Sequence, residues 1–218
     1  MLTEEQVIQM EQNKERYIDL ISSIEREGAK IDKLINKLKN SDFFYAPASI
    51  KYHEAYEGGL CTHSLNVYDA YMHLIEPMRD MPWVDPICFD DNSIKIVTLL
   101  HDISKMNHYD RTIKNSKVYS ENGSKRDELG KYDWVSEPGW CTKENAFLYG
   151  SHEMTSEYIA RQFIPLTLDE SVAILHHMGG MHWDSAKDNI SGVYGQYTLA
   201  VLLHLADMMA TYVYEREE

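Results

Sequence analysis

The chain has 218 residues, 44% of them hydrophobic and 26% charged, enough for one substantial domain of ordinary globular composition. A formal net charge of −14 opposes the phosphate-neutralising contacts that hold polymeric nucleic acid, but a small phosphorylated substrate, above all a nucleotide, stays open. Three scattered cysteines (Cys61, Cys88 and Cys141) form no CxxC pair, which argues against a disulfide framework or a cysteine zinc site.

The N-terminus, Met-Leu-Thr-Glu-Glu, reads as neither a signal peptide nor a membrane anchor, and no apolar run approaches the roughly 20 residues needed to span a bilayer. A cytoplasmic protein is expected. Residues 3–39 are rich in helix formers, and Thr3 with Gln6 has the spacing of a capping box. Ile8, Tyr17, Leu20, Ile21 and Ile24 give an apolar stripe, and Gly28 breaks the segment into two helices. Residues 1–40 are therefore read as an N-terminal helical segment packing on the core, with a homodimer through these helices as the alternative use. Residues 41–59 carry turn chemistry and read as a loop.

Residues 41–218 form the main domain, with helical patterns near 60–76, 92–105, 144–163, 168–178 and 195–215. Thr167 with Glu170 marks a second capping box. Between the second and third of these patterns, residues 107–143 are polar and lysine-bearing. Lys-Val-Tyr-Ser and Lys-Tyr-Asp-Trp-Val flank an Asn-Gly turn, which predicts a small β-hairpin inserted near 112–136. The expected class is all-α with that single insertion.

Histidines and aspartates recur on the helical segments. His63 lies in Gly-Gly-Leu-Cys-Thr-His-Ser-Leu, and His101–Asp102 in Leu-Leu-His-Asp-Ile-Ser-Lys. His152 follows Tyr-Gly-Ser, His176 and His177 are adjacent, and Asp207 lies in Leu-Leu-His-Leu-Ala-Asp. Side chains projecting inward from separate helices are an established way to build a metal site. Nitrogen and oxygen donors without thiolate suit Mn, Fe, Ni, Co or Zn, with Mg also open. Six donors exceed a four-coordinate structural site and suit two divalent ions roughly 3.5–4 Å apart, with Asp102 as the bridging carboxylate.

The ordered pattern His…His-Asp…His…His…Asp resembles the HD-domain superfamily of metal-dependent phosphohydrolases, and its bacterial members share the Gly-Gly-Leu opening and the His-Asp-Ile-Gly-Lys signature. Here Ser104 stands where Gly is usual. The resemblance covers about residues 43–214 and implies an HD-type helical bundle. It implies ligation by His63, His101, Asp102 and Asp207, with His152 and one of the 176/177 pair completing a second site. Neighbouring helix residues are about 100° apart, so only one of the two faces the metal, and the resemblance favours His177, because similar sequences often place a single His directly before Met-Gly.

Lys105, three residues after the pair, is positioned to neutralise a substrate phosphate or to complement a helix end. Lys51, Arg111 and Lys114, with His53 and His108, are candidate polar groups at the mouth. Tyr56 and Glu57 lie shortly before His63. No GxGxxG, P-loop or GxSxG motif is present. The leading expectation is a phosphohydrolase using Asp102 and Lys105 in catalysis. The alternatives are a non-catalytic nucleotide-sensing module and, by the same resemblance, a mixed-valent diiron oxygenase.

Overall fold

Two helices open the chain, α1 (Glu4–Ser22) and α2 (Ile31–Lys39). Both halves of the Thr3–Gln6 capping box form at the start of α1. The computed structural model describes residues 2–179 and 189–216. Tyr17, Ile21, Leu34 and Leu38 of these helices are fully buried in the same core as the rest of the body. Burying each such side chain stabilises by about 1.5–3 kcal/mol, so the stripe read from the sequence is used inside the chain. The Tyr17 hydroxyl donates to the Leu99 carbonyl at 2.7 Å, tying α1 to the segment that leads into His101.

The loop expected at 41–59 delivers the chain to α3 (Gly59–Ile75) through its two glycines. Gly58 has φ of 90°, a left-handed conformation. A Cβ on Gly59 would lie 2.0 Å from the Glu54 carbonyl oxygen, so only glycine lets α3 start this close to the loop. The Gly-Gly pair therefore fixes where His63, one turn further on, enters the core.

α4 (Asp91–Leu100) is shorter than the pattern over 92–105 implied. It stops before His101, and a 3-10 turn spans Ile103–Lys105. Consecutive residues of a continuous helix diverge by about 100°; leaving the helix lets both His101 and Asp102 point inward. α5 (His152–Phe163) also begins later than expected, because Gly150 takes φ of 76° and Ser151 caps Met154. α6 (Leu168–Leu175), with its Thr167–Glu170 capping box, ends before the 176/177 pair. A short α7 (Ile190–Tyr194) precedes α8 (Thr198–Met209), which passes into a π-helical turn over Ala210–Tyr214.

The insertion corrects the expectation of an all-α chain with one hairpin. It is a three-stranded antiparallel sheet of β1 (Tyr109–Tyr119), β2 (Lys125–Asp127) and β3 (Gly130–Thr142), in the order β1-β3-β2. The Asn122-Gly123 turn leads from β1 into the added strand β2, and β1 pairs with β3 as the two flanking segments predicted, from Tyr109↔Thr142 to Tyr119↔Tyr132. The strands outrun the predicted span because Arg111 and Trp140 stack at their base, where the sheet meets the body. The protein is thus mostly helical with one small sheet. No helix among the described residues is long and apolar enough to cross a membrane.

Candidate metal centre

His63 comes from α3, His101 and Asp102 from the break after α4, His152 from the first turn of α5, His177 from the end of α6, and Asp207 from α8. The fold brings all six together. His63 Nε2 lies 3.3 Å from Asp207 Oδ1 and 3.7 Å from Asp102 Oδ2, and His101 Nε2 lies 3.5 Å from the same Asp102 oxygen. The other Asp102 oxygen, Oδ1, is 3.7 Å from both His152 Nε2 and His177 Nε2. One carboxylate thus faces two groups of donors, one through each oxygen. The ligand atoms of His101, His177 and Asp207 form a further close group.

The hydrogen bonds behind the rings fix their tautomers. His101 Nδ1 lies 2.8 Å from the Thr98 carbonyl, and His177 Nδ1 lies 2.8 Å from the Ile174 carbonyl. A carbonyl only accepts, so each Nδ1 donates and each Nε2 turns toward the centre. His176 bonds back to the Val172 carbonyl through its own Nδ1 and belongs to none of the close donor groups. His204 meets the His177 carbonyl at 2.6 Å, which supports the turn that aims His177.

These residues fit a metal on their own evidence. Asp102 Oδ1 and His177 Nε2 are buried and have no hydrogen-bond partner. Leaving such groups unsatisfied costs roughly 1–3 kcal/mol each, a cost that a bound cation removes. His63 Nε2 and His101 Nε2 face each other at 3.3 Å, a contact that needs a proton or a cation between them.

Electrostatics sort the donors. Burial alone would raise the Asp102 carboxyl, but the Lys105 ammonium and His101 outweigh it and hold the group well below the usual range. Asp207 is likewise lowered against its burial, chiefly by His63. For His63 burial opposes the charged ring, yet the hydrogen bonds it donates to Asp207 and Glu215 prevail and push its pKa up to about 10. His177 moves the other way, to about 4, through burial and the neighbouring His101.

The candidate mouth residues divide. Lys105 reaches the centre directly, with Nζ 2.6 Å from Asp102 Oδ2. Arg111 pairs with Glu57 at 2.7 Å and stacks over Trp140 at 3.9 Å. The Lys114 ammonium goes to the Ile50 carbonyl, and Lys51 is exposed, its ammonium 5.9 Å from the Tyr52 ring. His53 lies against His63 with ring centroids 4.8 Å apart, and burial lowers its pKa to about 4. Ser104, in place of the usual Gly, is buried and donates its backbone N–H to Ser156 Oγ.

Two acidic residues were not anticipated. Glu215 Oε1 lies 2.9 Å from His63 Nδ1 and accepts from Asn66 at 3.0 Å, so it orients His63 from behind. On a continuous α-helix Glu215 would lie roughly 80° round from Asp207; the wider π turn removes most of that offset. Nothing in the acidic C-terminal sequence distinguishes Glu215 from its neighbours. Glu153, fully buried, places Oε2 3.3 Å from His152 Nδ1. Its position directly after His152 is the signal that could have found it.

Compared with protein-family models, with curated proteins and with solved structures, the chain returns no match.

Proposed function

We propose that this chain is a metal-dependent phosphohydrolase of the HD type, acting on a nucleotide or other small phosphate ester at a dinuclear centre. The observation that carries the reading is the divided carboxylate: Asp102 Oδ2 faces His63 and His101, while Oδ1 faces His152 and His177. His63, His101 and Asp207 would hold one ion, His152 and His177 the other, with Asp102 shared. Two divalent ions supply Lewis-acid charge and an activated water for in-line attack on phosphorus. The all-nitrogen-and-oxygen donor set suits Mn, Fe, Co, Ni or Zn, and Mg less well.

The chain's own residues do the rest. Thr98, Ile174 and Glu215 hold three imidazoles in the tautomer and orientation that ligation requires. Lys105 balances the Asp102 charge and is the cation nearest the shared carboxylate, so it is placed to turn toward a phosphoryl oxygen. The helices that carry these residues pack on one apolar core, and the low polarity there strengthens the interactions of the buried charges.

The test is elemental analysis of the purified protein, followed by a hydrolysis screen of nucleotides and phosphomonoesters with Mn²⁺, Co²⁺, Ni²⁺ and Mg²⁺. The expected result is about two metals per chain and turnover of at least one ester, both lost in the His101→Ala/Asp102→Ala double variant. Full hydrolytic activity in that variant would overturn the reading. Iron with a mixed-valence resonance signal and no hydrolysis would replace it with an oxygenase. Tight nucleotide binding without turnover would replace it with a sensor.

A further inference from the structure

Side chains of a strand alternate between faces, and the β1–β3 register assigns each one. Tyr109, Arg111, Ile113, Asn115, Lys117 and Tyr119 share a face with their partners Thr142, Trp140, Pro138, Ser136, Trp134 and Tyr132. Every aromatic residue of the two long strands is on this face, together with Arg111 and Lys117, and neither strand puts an acid there. The opposite face has no aromatic residue, and on it Asp110, Asp133 and Glu137 stand among Lys114 and Lys131.

Packing does not account for this segregation. Trp140 is buried at the base, but Trp134 is 50% exposed, Ile113 64% and Tyr119 42%, so the rings toward the tip are not there to fill a core. The cations are interleaved with the rings: the Lys117 ammonium is 4.4 Å from the Tyr132 ring centroid and 5.8 Å from that of Trp134. The Tyr119, Tyr132 and Trp134 rings follow one another at 5.6 and 6.0 Å. From β2, Lys125 joins the face beside Tyr132, and Asp127 is its one acid, bonded to Lys117 and Tyr119.

The face starts beside the metal centre in the chain: its first residue, Tyr109, follows Lys105 by four residues, and Arg111 bonds Glu57 in the loop that leads to α3. From Tyr109 to Lys117 the strand runs about 27 Å, long enough for several nucleotides.

We propose that this face is a stacking track for a single-stranded oligonucleotide whose terminal phosphoester lies at the Asp102 centre. Rings take bases of any sequence, and interleaved cations follow the backbone. The overall charge of −14 is carried elsewhere, since residues 109–142 hold as many Lys and Arg as Asp and Glu. The inference rests on the phosphohydrolase reading and narrows its substrate from a free nucleotide to a strand.

The experiment is fluorescence anisotropy of the metal-loaded protein with fluorescein-labelled, phosphorothioate-linked dodecamers of uridylate and of thymidylate. Nucleotide hydrolysis is measured on the same preparations. Trp134→Ala and Tyr132→Ala are each expected to weaken binding about tenfold and to leave nucleotide turnover unchanged. Val118→Ala, on the opposite face of the neighbouring strand β1, is expected to change neither. Tighter binding of one dodecamer would identify the sugar preferred. The inference fails if the wild type binds neither dodecamer, if the two ring variants bind as tightly as the wild type, or if Val118→Ala loses as much. Turnover with insensitive oligonucleotide binding would remove the track alone. Ring-dependent binding without turnover under any metal would remove the phosphohydrolase reading and keep the track.

Discussion

In the helical body the functional groups are held by contacts between residues far apart in the chain, whereas the sheet is held mainly by its own ladder. Arg26 bonds Glu170, and Glu170 in turn accepts from Ser93 and caps Thr167, so three separate segments meet on one buried carboxylate. Tyr17 reaches Leu99, and Glu215 reaches His63. In the sheet, Lys117 pairs with Asp127 and Ser124 with Asp133, within a stretch of a dozen residues. The centre therefore inherits its geometry from the whole body, while the sheet can vary without disturbing it.

The largest effect should follow from breaking the body's long-range network. Glu170→Ala leaves Arg26, whose side chain is 19% exposed, without its partner and strips two further donors of an acceptor. Breaking a buried pair costs about 3–5 kcal/mol, which urea denaturation of the metal-free protein would register as a large fall in midpoint. A change under about 0.5 kcal/mol would mean that the body tolerates local loss as the sheet does, and the contrast would disappear.

A middle-sized effect concerns the charge on the centre. His63 has its pKa raised to about 10, since its bonds to Asp207 and Glu215 outweigh the burial that opposes its charge. Its imidazolium is then the normal form at neutral pH, and ligation must displace a proton. Metal affinity should rise about tenfold per pH unit between pH 6 and 8, continuing until pH nears 10. His177, already neutral above about 4, adds nothing in that window. The sign reverses for the metal-free fold: the raised pKa contributes stability that is complete below the ordinary value of 6.5 and is lost as pH climbs through 10. Calorimetry in buffers of different ionisation enthalpy would count the proton released. A flat affinity profile would show His63 to be uncharged before metal arrives.

The same division explains what the sequence disclosed. Five of the six residues were legible because each lies in or beside a short apolar context whose helix had to face the core; His152, after Tyr-Gly-Ser, was found only through the ordered pattern of the others. Glu215 was not legible, because its position depends on a π turn that no periodicity announces. The break after Leu100 was hidden because Ile103, three residues on, keeps the helical spacing of the apolar stripe. In the sheet, the Asn-Gly turn and the pairing of the two segments that flank it were both legible, and what was not is β2, three polar residues with no apolar alternation to mark a strand.

The smallest effect on the body should come from removing most of the sheet. Arg111 and Trp140 are register partners, so the ladder can be closed directly beyond them with a two-residue Asn-Gly turn in place of residues 112–139. That excision keeps the Arg111–Trp140 stack and the Arg111–Glu57 ion pair, the contacts that seat the sheet on the body. It deletes the Lys114 bond to the Ile50 carbonyl, on a loop half a turn of chain away from His53. Metal stoichiometry should be unchanged, nucleotide turnover should stay within about twofold, and the thermal midpoint should move by no more than about 4 °C. Loss of metal from the excised protein would show that the sheet supports the centre, and that the two regions are one mechanical unit. Retention of metal with loss of strand binding would separate them: a buried centre that does chemistry, and an exposed face that selects what reaches it.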